Sequence, residues 1–483
     1  MLLQLLPEQD LKDIIEKYEA PDPLTVLQLV AKYENRQLKD ATVIIVVDGM
    51  QNIMTSYDDG MDQNSVFYTT LSNLGDLAIS DSFLIPCCTA TITRPVTESL
   101  RPSSRKRIWL PVNSLEPPTI SQQPVFQMDD TLVKLLVSDC GGHGRALEIL
   151  AEVIGTFDLR KCDVGDLMRE LRDQLAGRYR DALALTIKEA GAIVRAILTH
   201  QQLDANLPIR DTDKRPDQIA SPGLIQYVKD HGNSGYLTAP YIWIWMLAKN
   251  IGESIPNWRF DDYNEHMSKE DKALPPESLT WQNFEHFNAR FRCLKSWVLD
   301  EGTYTTISKV HYGARLKGNI HFKNHHLRID AASLQTDTRT YKGNANKWEV
   351  KCECGTFDVR KCKNCIINLA SPKFADAFLG LDSTRHSCNE VHQYKYYNSA
   401  TVSQRLYEEE RNKAASSQDF FILFTTQKDC NINLPRYSGI VDGTCWNDYY
   451  GPFAGRAFIY SVDGPPNINT ATRSTLQLAI PRR

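Results

Sequence analysis

Lys373-Phe-Ala-Asp-Ala-Phe-Leu-Gly-Leu381, then a polar turn, then Glu390-Val-His-Gln-Tyr-Lys-Tyr-Tyr397 decide how the second half of this chain is read. The first stretch reads as a strand with one acid, Asp376, in an apolar setting. The second reads as its hairpin partner. Strand side chains alternate between faces, so Gln393 and Lys395 project together. Glu390 lies on the opposite pleat from Lys395, and joins it only through a bulge or at the strand's start. A helix is expected from about Val402 to Ala415. An acid and an amide on adjacent strands can flank one divalent cation, with the lysine beside it to stabilise developing negative charge.

Strand with acid, hairpin, strand with polar–x–Lys, then helix is the core layout of PD-(D/E)xK nucleases, here with Gln393 in place of an acid. Asp376 and Gln393 are therefore expected to hold Mg²⁺ or Mn²⁺, with Lys395 as the charge stabiliser. The bland alternative is a half-buried hairpin with a surface lysine. A further acid is sought on the preceding helix, where Trp281-Gln-Asn-Phe-Glu-His-Phe-Asn-Ala-Arg-Phe-Arg292 offers Glu285. The competing reading is an amphipathic helix with Phe284, Phe287 and Phe291 inside and Glu285 solvated.

Cys352-x-Cys354 and Cys362-x-x-Cys365 place four thiols where a hairpin could close a tetrahedral Zn²⁺ site. Against this, Cys365 opens the apolar run Ile366-Ile-Asn-Leu369, where a thiol simply packs. Lys309, Arg315, Lys317, Lys323 and Arg328 form a locally basic stretch, either a phosphate contact or a solvated face.

The front of the chain reads differently. Ala41-Thr-Val-Ile-Ile-Val-Val47 is a β-branched run, expected to be a strand buried on both faces of a parallel sheet. It ends in Asp48-Gly49, the form of a Walker B strand, whose acid helps hold Mg²⁺. After a helix near 66–79 comes a second strand, Ser82 to Cys88, and then Cys88-Thr-Ala-Thr91, where such ATPases place a polar sensor. No G-x-x-x-x-G-K-[ST] loop is present, and no glycine precedes Gly49. Close backbone approach to a pyrophosphate needs glycine, so this module is not expected to hydrolyse ATP unless an upstream βα unit supplies the loop.

Residues 8–36 read as two helices split at Pro21 and Pro23, and 128–200 as helix-rich, interrupted at Gly141-Gly142. Short helices followed by an aromatic stretch within 201–279 suit a winged-helix connector, with Tyr241, Trp243 and Trp245 as core. The fold class is thus α/β: a parallel-sheet, P-loop NTPase-like domain lacking its phosphate loop (1–127), a helical lid (128–200), a winged-helix-like connector (201–279) and a restriction-endonuclease-like α/β domain (280–483). A chain of 483 residues carries several cores comfortably. A net charge of -4 gives no whole-molecule attraction to nucleic acid, so such binding must be local. No run is apolar enough for a bilayer, and the start does not read as a signal peptide. Twelve scattered cysteines suit a reducing, intracellular compartment.

Arg105-Lys-Arg-Ile-Trp-Leu-Pro111, Gly141-Gly-His-Gly-Arg-Ala-Leu-Glu148, Trp281 to Ser296, Lys373-Phe-Ala-Asp376 with the Gln-Tyr-Lys strand, and Gly451-Pro-Phe-Ala-Gly-Arg-Ala-Phe458 occur in that order. In this order they resemble the Crinkler-type NTPase–nuclease effectors. The resemblance implies a STAND-like NTPase in front, a winged-helix linker and a restriction-endonuclease fold behind. It implies secretion and delivery into a host cell, often the nucleus, with DNA as target and a host protein as a further partner. No translocation header precedes the NTPase part. The alternative is a DNA- or protein-binding effector that keeps the scaffold without the chemistry.

Overall fold

The computed structural model describes residues 13–460 apart from scattered positions and, chiefly, most of 90–114, 252–279, 340–348 and 396–401. The chain divides into two compact units, Met1–Trp109 and Leu110–Arg483. Both are mixed α/β.

In the first unit, α1 (Pro23–Tyr33) starts at Asp22, whose carboxylate accepts the Thr25 amide at 3.1 Å, with proline in the first turn. β1 (Thr42–Val47), α2 (Val66–Leu77) and β2 (Phe83–Cys88) follow, and β1 pairs with β2 in parallel from Thr42↔Phe83 to Val47↔Cys88. The expectation that β1 is buried on both faces is corrected. Ile44 and Val46 are exposed, while Val47 packs with Met50, Phe67 and Leu71. A sheet of two strands, which is what the described residues form, covers one face only.

The second unit opens with helices. α3 (Thr131–Asp139) is capped by Asp130, whose Oδ1 accepts the Leu132 and Val133 amides. Gly141 and Gly142 then take positive φ, and a side chain at Gly141 would press on Pro240. α4 (Gly144–Thr156) begins on His143, whose Nδ1 accepts the Ala146 amide while Nε2 donates to the Gly223 carbonyl. α5 (Val164–Arg178) and α6 (Ile187–Leu198) complete the helical run, the latter closed by a Thr186/Glu189 capping box. Three short antiparallel strands follow, β3 (Leu203–Asp204), β4 (Gln226–Lys229) and β5 (Ser234–Thr238), in the order β3-β5-β4. α7 (Tyr241–Ile251) buries Tyr241, Trp243 and Trp245, as the core reading required.

The long α8 (Thr280–Trp297) leads into β6 (Tyr304–Thr306), β7 (Arg315–Lys317), β8 (His321–Lys323) and β9 (Arg328–Ala331). After the hairpin β10 (Glu349–Cys352) and β11 (Gly355–Asp358) come β12 (Asn364–Ile367), β13 (Ala377–Ser383), β14 (Cys388–Lys395), α9 (Gln404–Ala414), β15 (Phe420–Thr425) and β16 (Ser438–Val441). The large sheet runs β9-β12-β13-β14-β15-β16-β7. β12, β13 and β14 are antiparallel neighbours, whereas β15 lies parallel to β14, with α9 as the crossover between them. Phe420-Phe-Ile-Leu-Phe424 shows why this sheet is central. Phe420, Ile422 and Phe424 pack on the α8 side, and Phe421 and Leu423 on the α9 side. α10 (Trp446–Tyr450) and α11 (Ala454–Tyr460) close the described chain.

One apolar core runs from Phe126 on through the helices, the small sheet and the α8 side of the large sheet to Ala457. A buried ion pair ties its two ends, Arg456 Nη2 on α11 to Asp139 Oδ2 on α3 at 3.2 Å, with the Arg456 guanidinium over the Tyr241 ring. Removing one partner of such a pair strands a charge in the interior. Asp139→Ala should therefore cost about 3–5 kcal/mol in urea unfolding. The helical run and large sheet should still melt together, and two separate transitions would contradict the shared core.

Candidate functional site: the C-terminal end of the central hairpin

The hairpin forms where the sequence placed it, with shifted ends. β13 begins at Ala377, so Asp376 sits one residue before the strand rather than within it. Ala375 packs on the α9 side and Ala377 in the main core, so the chain passes from one face of the sheet to the other at Asp376. Its carboxylate Oδ2 accepts the Tyr394 amide at 2.7 Å, and its own amide donates to the His392 carbonyl at 3.1 Å. Asp376 is thereby tied to the backbone between Gln393 and Lys395. β14 is regular over Cys388–Lys395, so Gln393 and Lys395 share the α9 face and Glu390 occupies the other.

Lys395 Nζ pairs with Glu410 Oε2 of α9 at 3.1 Å, and Lys413 Nζ reaches the same oxygen. Glu410 was not anticipated. Its signal lay in spacing, because Tyr407, Glu410 and Ala414 form the buried stripe of α9. Gln393 is buried, and its Oε1 accepts no hydrogen bond. Glu285 is not solvated, as the amphipathic reading had it, but buried on α8.

Electrostatics joins these groups. Burial pushes the Glu285 carboxyl up to about 9, Asp376 adds to the rise, and Lys395 opposes it. Burial likewise raises Asp376 to about 7, against the pull of the Tyr394 amide and Lys395. Glu285, Asp376 and Lys395 therefore share one electrostatic neighbourhood, reached from α8, the hairpin and the sheet's far face. Two buried carboxyls that resist ionisation are groups whose charged form a divalent cation would favour.

On the α8 face of β14 lies a second cluster that sequence reading missed. Arg292 donates to both oxygens of Glu390, at 2.7 and 2.9 Å. His311 Nε2 and His392 Nε2 reach Glu390 Oε1 at 2.8 and 2.7 Å. All four side chains are buried. Burial would raise Glu390, but Arg292, His311 and His392 hold it well below the usual range. Burial pushes His311 down to about 4 against the pull of Glu390, so its ring is neutral near pH 7. Among the described residues His311, Glu390 and His392 bring three ligand atoms within 4.8 Å of one another, a set that could hold a metal ion.

In the first unit, Asp48 stands at the C-terminal end of β1 beside Thr89, which follows β2. The Thr89 hydroxyl donates to Asp48 Oδ1, and the Gly49 amide donates to that hydroxyl at 2.9 Å. Arg105-Lys-Arg107 lies outside the described residues, as do Cys354 and Cys362. Cys352 packs in a small core with Val350 and Phe378, whereas Cys365 packs in the main core. Of the basic stretch, Arg315 is paired with Asp442 at 2.6 Å, and Lys309, Lys317 and Arg328 are exposed.

The chain is similar to Crinkler effector protein 108 of Phytophthora sojae, at 29% identity over 452 residues, 90% of this chain. The match covers 52% of that protein, so the chain spans about half the length of this curated relative. The likeness bears out the Crinkler-type resemblance drawn from the motifs. No protein-family model and no solved structure matches the chain. Among the described residues no helix is long and apolar enough to cross a membrane.

The raised carboxyls set a sign for stability. The folded state holds the protons of Glu285 and Asp376 more tightly than the unfolded chain does. Their stabilising contribution is full below about pH 4 and is lost as pH rises through about 7 and then about 9. In chelator, Tm should fall between about pH 6 and pH 9, and Glu285→Gln should flatten the fall. An equal slope in the variant would remove Glu285 as its source.

Proposed function

We propose that this chain is a Crinkler-type effector whose C-terminal half is a restriction-endonuclease-like, metal-dependent DNA endonuclease, preceded by a P-loop NTPase-like unit that does not itself hydrolyse nucleotide. The observation that carries the reading is Asp376, whose carboxylate accepts the Tyr394 amide between Gln393 and Lys395 of the same strand face, while the charges of Asp376 and Lys395 both act on Glu285. The polar groups fit a divalent cation. Glu285, Asp376 and Gln393 would hold it, since the two carboxyls are raised in its absence and Gln393 Oε1 is buried without a donor. When bound, Mg²⁺ or Mn²⁺ supplies an activated water and neutralises charge at the phosphodiester.

The chain's own groups do the rest. The Tyr394 amide fixes the direction of Asp376. Lys395 presents an ammonium on the same face as Gln393 and stabilises the charge that gathers on the phosphoryl oxygens. Glu410 holds that ammonium in place, and Lys413 pairs with the same Glu410 oxygen. The exposed Lys309, Lys317 and Arg328 supply positive charge for a phosphate backbone that the net charge of -4 would not attract. In the front unit, Asp48 hydrogen-bonded to Thr89 supports NTPase ancestry. No phosphate loop lies within these residues, so turnover by this unit would need one supplied from outside them. Delivery into a host cell, with action in its nucleus, belongs to the same proposal through the Crinkler-type likeness.

Supercoiled plasmid incubated with the chain and Mg²⁺ or Mn²⁺ should be nicked. Lys395→Ala should slow nicking by about 10²-fold or more with little change in Tm, because Glu410 keeps Lys413. Equal rates for wild type and variant would refute the assignment. Salt-dependent DNA binding without cleavage by the wild type would instead favour a non-catalytic binding effector.

A further inference from the structure

The Arg292–Glu390 cluster lies on the opposite face of β14 from Gln393 and Lys395, and nothing in the proposed chemistry uses it. Its wiring is complete on both sides of the carboxylate. His311 Nδ1 lies 3.0 Å from the Tyr449 hydroxyl, and His392 Nδ1 lies 3.0 Å from the Tyr394 hydroxyl. If each ring donates from Nε2 to Glu390, each Nδ1 is left to accept from a tyrosine. One neutral tautomer then satisfies every ring nitrogen. Glu390 receives the guanidinium on both oxygens and two imidazoles on one. A metal ion seated on His311, Glu390 and His392 would have to displace these hydrogen bonds and sit against a buried guanidinium.

The geometry links this cluster to the candidate site. Arg292 and Glu285 are seven residues apart on α8, two turns along one face and about 10.5 Å of rise. Arg292 meets the strand at Glu390. One residue before Glu285, the Phe284 ring meets the Tyr394 ring edge-on at 6.1 Å, and the Tyr394 amide donates to Asp376. From Glu390 to Tyr394, on the same face of β14, the strand spans about 13 Å, against about 12 Å of rise from Arg292 to Phe284. Helix and strand thus run in opposite directions with matched lengths, and a clamp at one end fixes the register at the other.

We infer that Arg292 and Glu390, with His311 and His392, are positioning residues: a buried clamp that seats α8 on β14 and so sets Glu285 toward Asp376. The inference takes from the nuclease reading only the composition of the site. Arg292→Lys keeps a charge but loses the two-point contact. The Tyr394 amide, which donates to Asp376, reports the far end of the register without any metal. In the full-length variant this amide should exchange faster by about 10-fold, while the amides of α6 exchange as in wild type. Calorimetric titration with Mn²⁺ alone should show affinity weakened by about 10-fold.

Wild-type exchange at Tyr394 overturns the inference. His311→Asn removes one donor and leaves the guanidinium contact. It serves should Arg292→Lys not fold, with a smaller change in the same direction expected and wild-type exchange again decisive. One equivalent of zinc in the purified protein, lost in His311→Asn, would overturn the clamp in favour of a metal on the three side chains. Wild type that leaves plasmid intact would end the nuclease reading, while exchange at Tyr394 would still judge the clamp.

Discussion

A guanidinium and a carboxylate without water around either constrain the whole C-terminal half of this protein. Arg292 and Glu390 lie 98 positions apart in sequence and meet with 1% and 0% of their side chains exposed. Either charge alone in that interior would cost several kcal/mol. The pair is tolerable in one arrangement only, with both nitrogens on both oxygens and the imidazoles completing the shell. Its main effect is to select one seating rather than to add net stability, since apolar replacements of such pairs are often as stable. Sliding α8 by one residue along the sheet would keep most apolar contacts, because Phe284, Phe287 and Phe291 have large apolar neighbours on every side. It would not keep Arg292 on Glu390.

The two ends of α8 and β14 have opposite electrostatic character. At Glu390 the guanidinium and carboxylate are paired, with Arg292 Nη1 the guanidinium nitrogen left without a hydrogen bond. At the other end two carboxyls are raised and an amide oxygen is without a donor. The fold tolerates this disfavoured group of acids because the surrounding structure over-determines their positions. The Tyr394 amide holds Asp376, the helix holds Glu285, and the strand holds Gln393. A paired end and a strained end on the same two elements make a frame that holds two buried acids whose burial outweighs the pull of Lys395.

Much of this was legible in the sequence, because the relevant signals are local. Strand alternation placed Gln393 with Lys395 and separated Glu390 from them, and the structure keeps that separation. The helices at 66–77, 280–297 and 404–414 lie where the sequence led one to expect them, near 66–79, around Trp281–Arg292 and from about Val402 to Ala415. What stayed hidden depends on long-range partners. His311 comes from a short helix between β6 and β7, and Arg292 from α8, and no local pattern marks either as a partner of Glu390. Asp376 was placed inside a strand because the Lys373–Leu381 run looks continuous, yet the change of face at this residue is what lets it interact with both Glu285 and Lys395. The exposed face of β1 shows the reverse error: a β-branched run indicates a strand but not how many layers cover it.

Gln393 is the departure that most invites a non-catalytic reading, and the electrostatics of the site argue the other way. Asp376 already raises the cost of ionising Glu285, and Glu410 adds to that of Asp376. A third carboxylate at position 393, fully buried and two residues from Lys395, would add repulsion that one ammonium, itself paired with Glu410, could not offset. An amide supplies a ligand oxygen without that charge. The metal-free fold then survives, and the two acids provide the negative charge a divalent cation needs. In this environment a glutamine spares the metal-free fold a third buried carboxylate, and on the nuclease reading its Oε1 is still the oxygen offered to an ion.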